Sequence, residues 1–451
     1  MKKADGHGAM PTELAPSELF AERYEIQRIL GEGDRKRTYL AKDAKMDRLV
    51  ALSIVKPEAM LSDPEGTERE AKVLGRIGSH DNIVSLYDYV IDPGRPAEYM
   101  VFEYLAGGTL AEYLRRSGSL EVEDILRIGR QLCRGLAHLH SKGLVHRDVS
   151  PLNVWLDERR EAHLGDFDSA ITIEGAKLER RPLTTNAFAA PEERAGEAID
   201  VRSDLFSLGG VLYVLATGDD LPGMPGVLRS RRPDLPSSFA DLVTRLLSER
   251  PDDRPRSAES VLADLADVRH AFRFHTLIAS GEGNRVEFKA SLRHPHGPLP
   301  PKFAQLAPAE QIKQVRKELG KEATKTIVAF LNSDGGDLLI GVNDEGEVIG
   351  IEADFEDLRQ RPNTDGWLQY LRQLIENSIG PDVWGVIRVA LVTREGRTVA
   401  VISCPRRSTE TWHRETDSVE NPERFYMRAS NTTVELRGSE LIRYVREHWR
   451  T

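Results

Sequence analysis

Apolar and polar positions alternate in three segments near the start of the chain: Tyr24–Leu30 (YEIQRIL), Arg37–Asp43 (RTYLAKD) and Leu49–Val55 (LVALSIV). A period of two predicts strands. Gly66–Gly78 (GTEREAKVLGRIG) has helical spacing instead. From about Ala111 the pattern becomes mostly helical. Val122–Gly143 (VEDILRIGRQLCRGLAHLHSKG) closes on a glycine stop, and Ser257–Phe272 (SAESVLADLADVRHAF) ends this part of the chain. The most apolar run, Leu205–Gly218 (LFSLGGVLYVLATG), falls short of the ~18 residues of a membrane span and reads as a buried helix. Near Arg273 to Ser280 the pattern changes to strand–turn–strand, with a proline-rich insertion at Arg293–Lys302. A helix follows over Pro308–Asn332, then a hairpin over Gly335–Ile351 with an Asp-Glu-Gly turn, strands within Val386–Cys404 and a terminal helix. There is no internal repeat. The expected organisation is a disordered leader over 1–22, a domain over 23–274 with lobes 23–103 and 104–274, and a smaller α/β unit over 275–451.

Composition narrows this without naming a function. The 451 residues are 40% hydrophobic and 30% charged, as in globular proteins. The two cysteines, Cys133 and Cys404, exclude a disulfide scaffold and fit a reducing, cytoplasmic setting. The start lacks the apolar core of a secretory signal. Net charge is −10, and residues 275–451 hold 24 basic against 26 acidic side chains. Any nucleic-acid site must then be a local patch, and no membrane partner is expected.

Five short motifs occur in order. They are the glycine loop GEGDRK (Gly31–Lys36), REAKVL with Glu70, HRDVSPLN with His146, Arg147, Asp148 and Asn153, DFD with Asp166, and APEE with Glu192, followed by SDLFSLG and Arg254. This series resembles the bacterial eukaryotic-like Ser/Thr protein kinases. The resemblance implies an α+β, bilobal kinase fold that uses ATP and Mg²⁺ and acts on a protein substrate. Phosphoryl transfer is mostly positioning and charge stabilisation. Gly31 and Gly33 let backbone N–H groups approach phosphate oxygens. Thr38, Ala51, Glu103 and Leu105 match the nucleotide-binding positions, with Phe102 as gatekeeper. Asp148 is expected to accept or orient the substrate hydroxyl proton. Asn153 and Asp166 are hard oxygen ligands for Mg²⁺. Asp204 and the Glu192–Arg254 pair match scaffold positions. Thr185 matches a threonine that contacts the catalytic aspartate, and Thr172 or Thr184 is a candidate phosphorylation site facing Arg147.

The strand that carries the family lysine reads Val50, Ala51, Leu52, Ser53. Strand alternation turns Lys56 to the far face and leaves Lys42 far along its strand. Lys36 shares a face with Thr38 and stands nearer the phosphates, at the third glycine position of the loop. This combination resembles the with-no-lysine kinases, in which a lysine from this position serves; Glu70 would orient it. The other reading is a solvated basic hairpin tip. Ser150 replaces a catalytic-loop lysine, and Asp168 replaces a glycine, as a further metal or lysine partner or as drift. The alternative to a kinase is a nucleotide-binding pseudokinase that acts as a switch.

In the last part of the chain, GEGNRVEFKASL, TKTIVAFLNSDGGDLLIGVNDEGEVIGI and RFYMRASNTT resemble the AlbA-like domain of the Schlafen family. Nuclease relatives imply a metal centre with Mg²⁺ or Mn²⁺, here from Glu282, Glu287 and a third ligand at Asp344 beside Asn343. Nucleic-acid binding without cleavage and a protein-interaction role are the alternatives. Lys313, Lys317, Lys321 and Lys325 form a ridge on one helix, neutralised by Glu318 and Glu322 in the bland account. Arg406, Arg407, His413, Arg414 and Arg428, with Trp412 and Tyr426 for stacking, are candidate contacts to RNA or DNA. By analogy alone, a bacterial signalling or phage-defence setting suits the pairing.

Overall fold

The computed structural model describes residues 14–92, 97–178, 186–219, 228–297, 299–356, 358, 361–394, 396–415 and 422–449. The chain divides into two compact units, Met1–Arg269 and His270–Thr451. The division falls before the expected junction at 274/275, inside one continuous helix.

The first unit opens with an antiparallel sheet built from β1 (Leu19–Phe20), β2 (Tyr24–Glu32), β3 (Lys36–Asp43), β4 (Arg48–Val55), β5 (Leu86–Asp92) and β6 (Ala97–Glu103), in the order β1-β2-β3-β4-β6-β5. Helices α1 (Pro57–Ser62) and α2 (Gly66–Ile77) follow β4. The alternation read from the sequence becomes one packed face, with Ile26, Tyr39, Ala41, Val50, Leu52, Ile54, Tyr99 and Val101 buried together. Leu14 and Phe20 join that cluster, and β1 pairs with β2 through Leu19 and Glu25. The expected leader is therefore corrected: residues 14–22 belong to the sheet, because two apolar side chains anchor an otherwise polar segment. Residues 1–13 lie outside the described residues.

The rest of this unit is mainly helical. It contains β7 (Gly108–Thr109), α3 (Leu110–Ser117), α4 (Val122–Ser141), β8 (Leu144–Val145), β9 (Val154–Leu156), β10 (Ala162–Leu164), β11 (Ile171–Thr172), α5 (Ile173–Leu178), α6 (Pro191–Arg194), α7 (Val201–Thr217), α8 (Leu228–Arg231), α9 (Ser237–Leu246) and α10 (Ala258–Ser280). Thr109 and Glu112 form a reciprocal capping box at the start of α3, and Asp200 caps α7 through the Arg202 N–H. The apolar run at Leu205 is α7, buried from Ser203 to Ala216. Gly129 of α4 faces Leu212 at a distance where a Cβ would sit 2.8 Å from its Cδ2. A larger residue there would push the two central helices apart.

The second unit has a four-stranded sheet, order β12-β13-β15-β14, from β12 (Val286–Lys289), β13 (Gly336–Ile340), β14 (Arg388–Arg394) and β15 (Arg397–Cys404). β12 and β13 are parallel, joined through the long helix α11 (Pro308–Leu331), as a parallel pair requires a crossover. Then come α12 (Glu352–Phe355), α13 (Thr364–Ser378), a three-stranded sheet of β16 (His413–Arg414), β17 (Glu423–Ala429) and β18 (Thr432–Leu436), and α14 (Gly438–Trp449). Helix α11 runs unbroken through Gly320, whose missing Cβ leaves room for Leu374 of α13 at 3.1 Å. The expected Gly335–Ile351 hairpin closes around the Asp-Glu-Gly turn, with the Asn343 N–H donating to the Glu347 carbonyl at 3.0 Å, but its pairing is limited to a single antiparallel bridge, Val342 to Val348. Gly341, Gly346 and Gly350 all take positive φ, which bends the returning segment out of strand geometry.

Candidate active site

Strand register brings the site together. In β3 and β4, Thr38 lies opposite Ser53 and Leu40 opposite Ala51. The Thr38 and Ser53 hydroxyls bond each other at 3.1 Å, and Ser53 is buried. β2 ends at Glu32, and the Gly33 N–H donates to the Lys36 carbonyl at 2.9 Å, which closes a tight turn. Nothing stands within 4 Å of a Cβ built at Gly31. The space beside the loop is open there.

The tight turn points Lys36 inward. Its ammonium forms an ion pair with Glu70 of α2 and donates to Asp168 Oδ1 at 2.9 Å. Only 13% of the Lys36 side chain and 3% of that of Glu70 is exposed. Of the neighbouring cations, Arg35 pairs with Asp63 at 3.0 Å and faces Asp168 at 3.8 Å, while Arg37 goes to Glu32, Lys56 to Glu32 and Lys42 to Asp47, each at 2.8 Å. Burial by itself lowers the Lys36 ammonium, but Glu70 and Asp168 outweigh it and raise it above its ordinary value. Burial pushes the Glu70 carboxyl up, against the opposing charge of Lys36. Burial also works to raise Asp168, yet Lys36, the bond with Glu70 and Arg35 hold it below the usual carboxylate range.

The catalytic-loop residues are fixed from below. Asp204 is fully buried and accepts the His146 N–H at 2.9 Å, the Arg147 N–H at 2.8 Å and His140 Nε2 at 2.8 Å. These bonds hold Arg147 at φ 70°, an uncommon left-handed position for a side chain of its size. Glu192 and Arg254 form a buried bidentate pair at 2.7 and 2.8 Å. Arg147 pairs with Glu193 at 3.2 Å. Thr172 Oγ1 accepts the Gly175 N–H at 3.0 Å, while Thr184 and Thr185 lie outside the described residues.

Asp148 receives two amides: Asn153 Nδ2 on Oδ2 at 2.8 Å and Asn186 Nδ2 on Oδ1 at 2.7 Å. Asn186 was absent from the sequence reading, although it directly follows the threonine expected to make this contact. Asn153 therefore spends its nitrogen on Asp148, and its carbonyl oxygen is the atom it could offer to a metal. Asp166 is reached by water although protein surrounds it; burial and then the Asp168 charge raise its carboxyl. Ser150 is buried and brings no cation. At the hinge, Glu103 accepts the Ser85 N–H at 2.6 Å, and Phe102 and Leu105 are half-buried.

Among the described residues, only Glu70, Asp166 and Asp168 bring three acidic, histidine or cysteine ligand atoms within 4.8 Å of one another. These hard oxygens, with the Asn153 carbonyl oxygen, suit Mg²⁺. The expected carboxylate centre of the second unit does not form. The Gly283–Asn284 turn closes, and Glu282 accepts the Phe288 N–H at 2.9 Å. Glu287 instead pairs with Lys289 at 2.5 Å and with Arg428 at 3.0 Å, and Asp344 is exposed at a turn tip. Asn343 accepts the Glu347 N–H at 2.7 Å.

Most of the expected basic and aromatic patch is also spent internally. Tyr426 and His413 are buried, and Trp412 packs edge-on against Phe425 at 5.4 Å. Arg407 pairs with Asp382 at 2.8 Å and Arg414 with Glu423 at 3.2 Å, while Arg406 donates to the His448 carbonyl at 2.8 Å. On the α11 ridge, Lys321 pairs with Glu415 and Lys325 with Glu322, while Glu318 is taken by Lys302. Sequence spacing also gave no sign of Asp354, which is fully buried and binds Ser291, three backbone N–H groups of residues 292–294 and Trp367 Nε1. It pins the start of the proline-rich insertion to α12. No helix among the described residues is long and apolar enough to cross a membrane.

Comparison with known proteins agrees with this geometry. The chain is 33% identical to the DNA damage-responsive serine/threonine-protein kinase RqkA of Deinococcus radiodurans, over 55% of this chain and 40% of that protein. It is 31% identical to serine/threonine-protein kinase pkn3 of Myxococcus xanthus, over 57% and 52%. It is 30% identical to serine/threonine-protein kinase PknB of Mycobacterium tuberculosis, over 56% and 44%. The matches span about half or less of those relatives' own length. Residues 282–437 match the family model described as Schlafen, AlbA_2. Residues 24–265 match the model of the protein kinase domain, and the chain belongs to that family.

Proposed function

We propose that this protein is a Ser/Thr protein kinase that transfers the ATP γ-phosphate to protein hydroxyls, with Lys36 in place of the missing strand lysine. The observation that carries this reading is the ion pair between Lys36 and Glu70, directly beside a buried Ser53 that has no charge to offer. Lys36 neutralises phosphate charge from the loop side, and Glu70 orients it. The uncrowded space at Gly31 leaves room for phosphate oxygens. Thr38, Ala51, Glu103 and Leu105 bound the nucleotide. Asp148, steadied by Asn153 and Asn186, takes or orients the proton of the substrate hydroxyl. Asp166 and the Asn153 oxygen would hold Mg²⁺, which when bound supplies positive charge to the phosphate oxygens.

Radiolabel transfer from ATP by wild type, Lys36→Ala and Asp166→Ala tests this. Transfer by wild type that is lost in both variants is the expected result. Transfer that survives Lys36→Ala rejects the relocated lysine. No transfer from wild type leaves a nucleotide-binding pseudokinase switch, a reading favoured by the cation-free Ser150.

For the second unit, the pairing of Glu287 with two cations favours nucleic-acid binding over metal-dependent cleavage. Incubation of RNA and DNA with Mn²⁺ or Mg²⁺ is expected to give retention without cleavage. Cleavage that is lost in Glu287→Ala would restore the nuclease reading.

A further inference from the structure

The carboxylate of Asp168 sits between two consecutive loop residues. Oδ1 accepts from Lys36 at 2.9 Å, and Oδ2 faces Arg35 Nε at 3.8 Å. Arg35 is itself tied to Asp63, which also holds Arg69 of α2 at 2.6 Å. One side chain thus joins the glycine loop to the segment after Asp166, and Glu70 joins the same ammonium to α2. Asp168 has no positive φ, so the backbone here does not need a small residue.

A lysine on a strand interior is held by the strand. A lysine at a loop turn reaches the same place on a longer, freer path, and ordering its stem is costly. One carboxylate fixes the direction of an ammonium only loosely, because its three N–H donors rotate. Two carboxylates from separate segments fix a point.

We propose that Asp168 is the positioning residue for Lys36, a second carboxylate that makes a loop-borne lysine work where a strand lysine is missing. This rests on the reading of the site as a phosphotransfer site. Asp168 and Glu70 hold two of the three N–H donors and leave the third to phosphate. The acid after Asp166-Phe167 and the displaced lysine are, on this account, one device.

The test has two arms on the full chain. In the first, the ligand-free protein is acylated with an amine-reactive ester, and Lys36 is followed by mass spectrometry against the exposed Lys42. Asp168→Asn is expected to raise the Lys36 rate about fivefold relative to Lys42, in line with the coupling of one ion pair. Asp168→Glu is expected to restore the slow rate. An unchanged Lys36 rate, or an equal rise at Lys42, overturns the proposal.

In the second arm, ATP affinity is measured calorimetrically with EDTA present, which removes any direct metal role of Asp168. Asp168→Asn is expected to weaken binding about tenfold in the wild-type background and less than about twofold in the Lys36→Ala background. Equal losses in both backgrounds, or tighter binding without Asp168, overturn it. Asp168→Gly, the residue the family resemblance implies here, repeats both arms if the Asn variant folds poorly. Altered acylation and affinity in a chain that transfers no phosphate would support this placement and reject only the phosphotransfer reading.

Discussion

Around Lys36 one ammonium faces two carboxylates, Glu70 and Asp168, with Asp166 close by. Around Glu287 the ratio is reversed, with one carboxylate between Lys289 and Arg428. Both clusters rest on acidic residues read from the sequence as candidate site groups. The charge left over differs in sign. The first cluster has more carboxylates than the ammonium can balance; the second has more cations than its carboxylate can balance. Carboxylate spacing alone does not predict a metal centre, because the partners that arrive from distant segments decide the balance.

The partners also differ in how they respond to loss. A buried carboxyl deprived of its cation can take up a proton, whereas a guanidinium cannot shed one. The largest effect is therefore catalytic: Lys36→Ala should cut phosphoryl transfer by on the order of 100- to 1,000-fold, as removal of one preorganised charge does elsewhere. Initial-rate assays at saturating ATP would check this, and a loss below tenfold would remove the contrast at its root. Next, Glu287→Ala should destabilise the second unit by about 3 kcal/mol, since it leaves the buried Arg428 without its counter-ion, held only by neutral acceptors such as the Gly283 carbonyl. Calorimetry of the full chain should show one transition lowered and the other unmoved.

By contrast, Lys36→Ala should lower the stability of the first unit by only about 1 kcal/mol at neutral pH, because Glu70 neutralises itself. Equal losses for the two variants would break the comparison. A last effect, graded by pH, concerns Glu193, whose carboxyl burial pushes up from 4.5 to about 7. Between those values the unfolded chain has lost the proton that the folded one keeps, so this group's contribution to stability falls as pH rises. Wild type should lose thermal stability relative to Glu193→Gln as pH rises from about 5 to 7, with curves parallel outside that window.

These contrasts mark what the sequence carried. Period-two runs foretold β2, β3 and β4, and ordered motifs located Glu70, Asp148, Asn153 and Asp166. The register argument that set Lys36 beside Thr38 needed only alternation along a strand, so it was available without coordinates. Asn186 was shielded by its neighbour, since one position in a turn decides which side chain reaches Asp148. Arg428 and Asp354 were illegible in a different sense: their partners lie far along the chain, and no local spacing encodes such a meeting. The turn after Ile340 was legible in its Asp-Glu-Gly letters, but not how short its ladder is, since three glycines there leave strand geometry.

Helix α10 has a practical consequence of its own. Val261, Leu265 and Val268 are buried on one side of Arg269, and Phe274 packs with Val286 and Phe288 on the other. Proteolytic or genetic excision at the boundary between the units would sever it mid-helix and leave Val268 of one fragment and Phe274 of the other close to a new, frayed end. Either piece, made alone, should be cut outside Ala258–Ser280, with the whole helix retained.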